Sequence, residues 1–545
     1  MTDLLDGWGL SAAIFLPLVG AALMMVIPKS EEALHKVIAL VTSLAVFAMT
    51  IALLANFDYD RNQTLQFVQD RAWIDVINSR YIVGLDGISL PLLALTVFIV
   101  PLVIIYSWNH FPEPHNPKAF LILTLILETG MVGTFLAQDL ILFFVFFEVV
   151  LLPMYFMIGV WGGEQRQYAA IKFFLYTLFG SALMIVSFVS LYFLAKGPGG
   201  VPLRTFDIRE LSAWAGAGLT LSTAVLVFGG MFMGFGIKVP IFPFHTWLPD
   251  AHTQAPTQGS VILAAVLLKL GTYGFVRIAI PILPKAAEEW APWIGLLAVI
   301  GIIYGALACL AQTDMKRLIA FSSVAHMGFV MLGISTLTPF GFNAAVFGMV
   351  AHGHITGMLF FLAGSVKERY HTLEIARLGG MLKQMPRLGW ILGFCAMASL
   401  GLPGLAGFWG EFPAILSAYQ PAEGLPVETF RTFMVVAAIG TVLAAAYLLW
   451  MFQRTAFGEP KEEFTGTGEG THGVADGHGH VAHSVSAAAR DEHADHDHDG
   501  GIHDVNIYEW IAWTPMLVAI LVLGVYPQLL FEIIDPAVNV ALKAF

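Results

Sequence analysis

"MGFGIKVPIFPFHTWLPDAH" (residues 233–252) decides how the rest of this chain is read. Lys238 follows the run "AVLVFGGMFMGFGI" (224–237), which holds no charged residue, and Pro240, Pro243, His245 and Asp250 come soon after. A charge in such a stretch is costly to desolvate, and each proline removes a backbone donor that a continuous helix would need. Together these features describe a membrane helix that is broken where a charge has to be held.

The composition agrees. Of 545 residues, 57% are hydrophobic and 12% charged, against about 25% charged in soluble domains. Apolar runs of roughly 20 residues, enough to cross a bilayer at 1.5 Å per residue, recur along the chain. The alternating, strand-length pattern of a membrane β-barrel is not seen. The opening "MTDLLDGWGL" is acidic and lacks both a basic region and a small-residue cleavage site, so we expect no signal peptide, with the first span inserting itself. Cys309 and Cys395 lie in apolar runs without CxxC or metal spacing, which argues against a disulfide framework or an iron–sulfur site. The net charge is −12, but residues 455–505 hold eleven acidic and two basic residues, or −9 of it. The acidity therefore belongs to one linker and says little about partners.

The expected fold is an all-α membrane protein with about fourteen transmembrane helices. Hydrophobic periodicity places them near 9–28, 36–56, 86–108, 118–137, 139–160, 168–195, 219–243, 256–280, 292–311, 317–335, 341–364, 388–417, 429–453 and 509–532. An even number puts both termini on one side. Loops after odd-numbered spans hold 15 of the 27 Lys and Arg, and the opposite loops and tails hold 10; the last two, Lys238 and Lys269, lie inside spans. By the positive-inside rule the basic loop 366–387 is cytoplasmic and the termini periplasmic. Spans seven and twelve are interrupted, the latter by "GLPGLAGFWGEF" (401–412). Broken helices at membrane depth are tolerated only where protein or a water-filled cavity surrounds them. Five spans separate the two breaks, so spans four to eight and nine to thirteen read as two inverted five-helix repeats, each with a broken helix. The expected division is 1–117 for the first three helices, 118–282 and 283–454 for the repeats, 455–508 for an acidic His-rich loop, and 509–545 for the last helix. Eight of the 17 histidines fall in 472–503 without the spacing of a defined zinc site, and the tract reads as a solvated loop rather than a metal collector.

Charges inside spans cost about 2.5–3.5 kcal/mol each on insertion scales, so they are rare and usually functional. Four stand out: Glu148 in "LILFFVFFEVVLLPMYF", Lys238, Lys269 in "SVILAAVLLKLGTYGF", and Glu411 at the second break. Each has a structural alternative. Glu148 and Lys238 can form a static pair, Lys269 can snorkel, and Glu411 can sit at the interface beside Trp409. Glu128, in "LILTLILETGMVG", reads as a helix–helix hydrogen-bonding group. One functional reading covers all four. Burial disfavours the charged form of a buried acid or base and an approaching opposite charge favours it, so a moving glutamate can load and unload a lysine. Histidines suit the gaps, being able to shuttle protons near neutral pH. His245 follows Lys238 by seven residues, on the same face if the helix continues; His326, and one of His352 and His354, complete the set. The sequence contains no GxGxxG opening a βαβ unit, no Walker A motif, no HExxH and no cysteine quartet, hence nothing visible for binding a nicotinamide, a flavin or ATP.

Four segments carry a resemblance: 143–163, 236–277, 311–333 ("AQTDMKRLIAFSSVAHMGFVMLG") and 400–412 ("LGLPGLAGFWGEF"). They resemble the antiporter-like subunits of respiratory complex I and of Mrp-type cation/proton antiporters, over about residues 80–455. The resemblance implies one proton pathway in which Glu148 pairs with Lys238, Lys269 is the central relay and Glu411 lies on the second broken helix, with His245, His326 and His352 matching the family's histidines. M-type members carry glutamate at the position of Glu411, where L- and N-type members place lysine. It further implies a bacterial inner-membrane location and a non-redox, translocating role inside an NADH–quinone oxidoreductase. Partners would be the L- and N-type subunits, the lateral helix of the L-type subunit, the hydrophilic redox arm and membrane lipids, with no nucleic acid. This chain itself would hold no cofactor, FMN, iron–sulfur clusters and quinone belonging to the partners. The alternative is a subunit of a Mrp-type sodium/proton antiporter.

Overall fold

The computed structural model describes residues 5–108, 110–465 and 502–545; the His-rich tract falls mostly outside the described residues. The fold is almost wholly helical because backbone polar groups in lipid have to be satisfied within the segment that carries them. In chain order the helices are α1 Leu5–Val26, α2 Glu32–Ala55, α3 Ser89–Tyr106, α4 Pro117–Leu136, α5 Leu140–Trp161, α6 Arg166–Leu194, α7 Ile208–Gly218 and α8 Leu221–Lys238. They continue with α9 Trp247–Gln254, α10 Thr257–Ile282, α11 Pro284–Leu310, α12 Met315–Ser335, α13 Pro339–Tyr370, α14 Pro386–Ser399, α15 Ala406–Ser417, α16 Val427–Ala456, α17 Ile507–Val525 and α18 Gln528–Ala541. Among the described residues, thirteen helices are long and apolar enough to cross a membrane. The expected twelfth span is instead the pair α14 and α15, 14 and 12 residues long, each too short to cross alone.

Both breaks have local causes. At the first, residues 239–246 leave the helix, and the Ile237 carbonyl instead accepts the Trp247 indole N–H at 2.9 Å. At the second, Gly401 and Gly404 take φ of 80° and 92°, a region that favours glycine, on either side of Pro403.

Besides the short helices α7 and α9, two further elements lie outside the expected pattern. A two-stranded antiparallel hairpin, β1 Gln66–Ile74 and β2 Ser79–Leu85, fills the loop between spans two and three. Asp139 joins it to α5: the carboxylate accepts from Ser79 Oγ (2.9 Å) and Arg80 N–H (3.0 Å) while capping Ile141 and Leu142 N–H. The expected last span also splits, leaving α18 as a separate helix held to α13 by Phe347–Phe531 stacking (4.9 Å) and by Asn343 Nδ2 donating to Asp535 (2.5 Å). The loop before the hairpin meets α18 where Asn62 Nδ2 donates to the Glu532 carbonyl (2.9 Å), and Arg71 of the hairpin lies 4.9 Å over the Trp8 ring. The start of α1 and the helix α18 therefore lie on the same face of the molecule.

The opposite face gathers the basic loop. Arg369 pairs with the fully buried Glu509 (2.7 Å), which also closes a capping box with Asn506 at the start of α17. Asp504 caps the start of α14 through Arg387 and Leu388 N–H.

Candidate functional site

The site centres on Lys269, fully buried in α10. That helix contains two π-helical turns, Leu263–Leu267 and Phe275–Ala279, a departure from α geometry that recurs at functional sites. The first of them bears on the lysine: Lys269 Nζ donates to the Ala264 carbonyl, five residues back, at 2.5 Å. On its other side Lys269 Nζ lies 2.8 Å from His352 Nδ1 of α13. A contact across 83 residues of sequence thus joins spans eight and eleven.

The row continues. The ring centroids of His352 and His326 are 6.1 Å apart. His326 Nδ1 of α12 lies 2.5 Å from Glu411 Oε1 of α15, and its Nε2 is within 3.2 Å of Ser399 Oγ and 3.1 Å of the Tyr447 hydroxyl. His352 Nε2 and Glu411 Oε2 have no hydrogen-bond partner among the described residues. Both residues line one small cavity together with His326, Ser399, Gly407 and Gly410, of about 20 Å³. That is room for roughly one water molecule, and two orphaned polar atoms give such a water its bonds. Lys269, His352, His326 and Glu411 are therefore linked by direct contact and one water-sized gap.

The first half is looser. Glu148 Oε1 accepts from Ser181 Oγ of α6 at 2.5 Å. Lys238 is buried, its Nζ lies 4.6 Å from the centroid of the Phe147 ring, and it has no hydrogen-bond partner among the described residues. The two charges lie within electrostatic reach of one another without touching. His245 does not share a helical face with Lys238, because the helix does not continue through the break. Its ring stacks on Phe242 (5.6 Å) and meets Tyr304 edge-on (4.9 Å), within electrostatic reach of Lys172, which is paired with Asp250 at 2.7 Å.

Of the 352/354 pair, His352 joins the row, while His354 Nδ1 donates to the Val350 carbonyl of its own helix (2.9 Å) and the ring packs on Phe98. Glu128 departs from its expected role: it is fully buried, and neither carboxylate oxygen has a hydrogen-bond partner among the described residues. Two buried groups escaped the sequence reading. His252 in α9 stacks on Phe360 at 4.5 Å, both ring nitrogens lack partners among the described residues, and it feels the charges of Lys316 and Lys269. The span expected from 317 leaves Lys316 in a loop, but α12 begins at Met315, and Lys316 is buried with Nζ on the Ala255 carbonyl (2.5 Å). It lines a pocket of about 490 Å³ on the basic-loop face, with His110, Lys367 and Glu368. Burial holds the His110 imidazole below its usual pKa there. Among the described residues no group of His, Cys, Asp or Glu is arranged to hold a metal ion.

A helical membrane body with two broken helices and a row of buried ionisable groups defines the antiporter-like class of membrane subunits. Comparison with known proteins narrows it. The family described as "NADH:quinone oxidoreductase/Mrp antiporter, TM" matches residues 137–443, and "NADH-ubiquinone oxidoreductase chain 4, amino terminus" matches 12–134. NADH-quinone oxidoreductase subunit M of Rhodobacter capsulatus is 40% identical over 538 residues, 97% of this chain and 95% of that protein. A chain of respiratory complex I from Thermus thermophilus with bound NADH superposes with a TM-score of 0.80 at 28% identity, over 98% of this chain and 99% of that one. A chain of the Mrp complex from Dietzia sp. DQ12-45-1b gives 0.78 at 20% identity, over 98% of this chain and 52% of that one, a likeness of fold alone. The chain belongs to the NADH:quinone oxidoreductase/Mrp antiporter membrane family, among the relatives of NADH-quinone oxidoreductase subunit M.

Proposed function

We propose that this chain moves protons through the membrane arm of an NADH–quinone oxidoreductase, using the buried row as its conduit and redox chemistry in partner subunits as its driving force. The observation that carries the reading is the contact series Lys269–His352–cavity–His326–Glu411, which places four ionisable groups in sequence at membrane depth. Glu148 and Lys238 feed it. When Glu148 leaves Ser181 and closes on Lys238, the ammonium is favoured; when it swings back, the lysine is left against Phe147 with its charge poorly compensated and gives its proton up. Lys316 and His252 offer a path from the pocket on the basic-loop face toward Lys269. Glu411, bonded to His326 and bordered by the broken helix, is the outlet side.

Spans four to eight and nine to thirteen act in this reading as two inverted units that meet at Lys269. The basic loop faces the cytoplasm, the termini the periplasm, in a bacterial inner membrane. Flavin, iron–sulfur clusters and quinone sit in partner subunits, and neighbouring antiporter-like subunits extend the row. The Mrp-type alternative draws on fold likeness alone, whereas the oxidoreductase relatives match along nearly the whole chain.

The test is Lys238→Ala in the intact complex, reconstituted in vesicles. We expect NADH-driven proton pumping to fall about tenfold or more, with electron transfer from NADH to ferricyanide unchanged. Loss of a sodium-dependent proton exchange in a complex without redox centres would instead establish the antiporter reading.

A further inference from the structure

The buried row does not use every acid in the membrane. Glu128 lies twelve residues into the 20-residue helix α4, is 0% exposed, and leaves both carboxylate oxygens without a hydrogen-bond partner among the described residues. An isolated carboxylate in such a place is costly, and a neutral carboxylic acid is the form that needs no charged partner.

Its direction follows from helix geometry. Gly130 and Gly133 abut Val150 and Phe146 of α5, the helix that carries Glu148, so that face of α4 is taken by α5. Phe135 points the other way: its ring meets Tyr273 of α10 at 5.3 Å, and its carbonyl accepts the Tyr273 hydroxyl at 2.8 Å. Glu128 precedes Phe135 by seven residues, two helical turns, and so shares the α10-facing side. As spans four and eight, α4 and α10 run parallel. Seven residues before Tyr273 is Val266, inside the π turn Leu263–Leu267 whose Ala264 carbonyl holds Lys269.

We propose that Glu128 is a further proton-holding residue of the relay, exchanging a proton with Lys269 past the π turn at Leu263–Leu267. The inference rests on the relay reading above. In the step, the proton leaves the Glu128 carboxyl oxygen, passes through water, and ends as an N–H bond of Lys269. A neutral acid and a neutral amine become carboxylate and ammonium, and the reverse step restores them, with no change in total charge. The carboxylate forms only when a cation forms beside it, which is why no permanent partner is built in.

Three variants of the intact complex test it. Glu128→Gln keeps the shape but cannot release a proton, so NADH-driven pumping should fall about tenfold or more, with assembly and ferricyanide reduction unchanged. Glu128→Asp should recover part of that loss. Infrared difference spectra recorded on adding NADH should show a carboxylic acid carbonyl band that is absent in Glu128→Gln and shifted in Glu128→Asp. Full pumping by Glu128→Gln, with the band unaltered, overturns the proposal. Should Glu128→Gln fail to assemble, the band in Glu128→Asp decides: a shift supports the assignment and an unshifted band refutes it. Lys269→Met separates the two levels. If it pumps normally the relay itself is wrong, whereas loss in Lys269→Met beside full pumping in Glu128→Gln removes Glu128 alone.

Discussion

His352 and His354 are two residues apart in "MVAHGHITG", yet their surroundings differ completely. His352 touches Lys269 and faces the cavity shared with Glu411, while His354 bonds its own helix and packs on Phe98. Replacing each by glutamine should separate a relay group from a packing group. His352→Gln should lower coupled pumping about tenfold or more, a part of the roughly hundredfold or greater share that a positioned proton-transfer group supplies. His354→Gln should leave pumping intact and cost about 1 kcal/mol of stability, the net value of one hydrogen bond. Pumping assays and thermal unfolding of the purified complex check both. The order of charges was legible at this scale: Glu148, Lys238, Lys269 and Glu411 stood out because nothing around them in sequence could solvate them. Partners were not. The Lys269–His352 contact spans helices far apart in the chain, and neither residue's neighbours in sequence announce it. Glu128 was misjudged for the same reason, since a helix–helix hydrogen bond depends on what the other helix offers.

At the level of elements, the second broken helix carries the outlet of the proposed relay. Gly407 lies so close to the Ala398 carbonyl of α14, and Gly410 to Gly348 of α13, that no side-chain carbon fits at either position. Gly407→Ala must push α15 away from α14, and with it Glu411 from His326. We expect a loss of about 1–3 kcal/mol of stability, typical of overpacking, with pumping falling further than the stability loss explains. Normal pumping in this variant would show that the Glu411–His326 distance is unimportant. Proline and glycine made both breaks visible in sequence. The π turns of α10 were not visible, because "SVILAAVLLKLGTYGF" reads as an ordinary apolar helix and one extra residue per turn leaves no mark in hydropathy. The hairpin between spans two and three was missed because Gln66–Leu85 mixes polar and apolar residues without the strict alternation of a half-buried strand. Asp139, which anchors it, lies 54 residues beyond the hairpin's end.

The whole molecule is a helical membrane body with thirteen membrane-length helices among the described residues, loops gathered on two faces and the candidate row between them. Its helices were largely legible from apolar run length, thirteen long ones and one broken pair against fourteen expected, because lipid admits so few alternatives. The course of the row was not, because it runs sideways, from helix to helix, while sequence runs up and down. The proposed function depends on that lateral course passing through one amine, Lys269. The decisive measurement is NADH-driven proton uptake by vesicles carrying the intact complex with Lys269→Met, a replacement that fills nearly the same space without a titratable group. The account predicts that pumping collapses while NADH–ferricyanide electron transfer and subunit assembly stay at the level of the unaltered complex. Pumping at the unaltered rate, with the same number of protons moved per NADH, would contradict it.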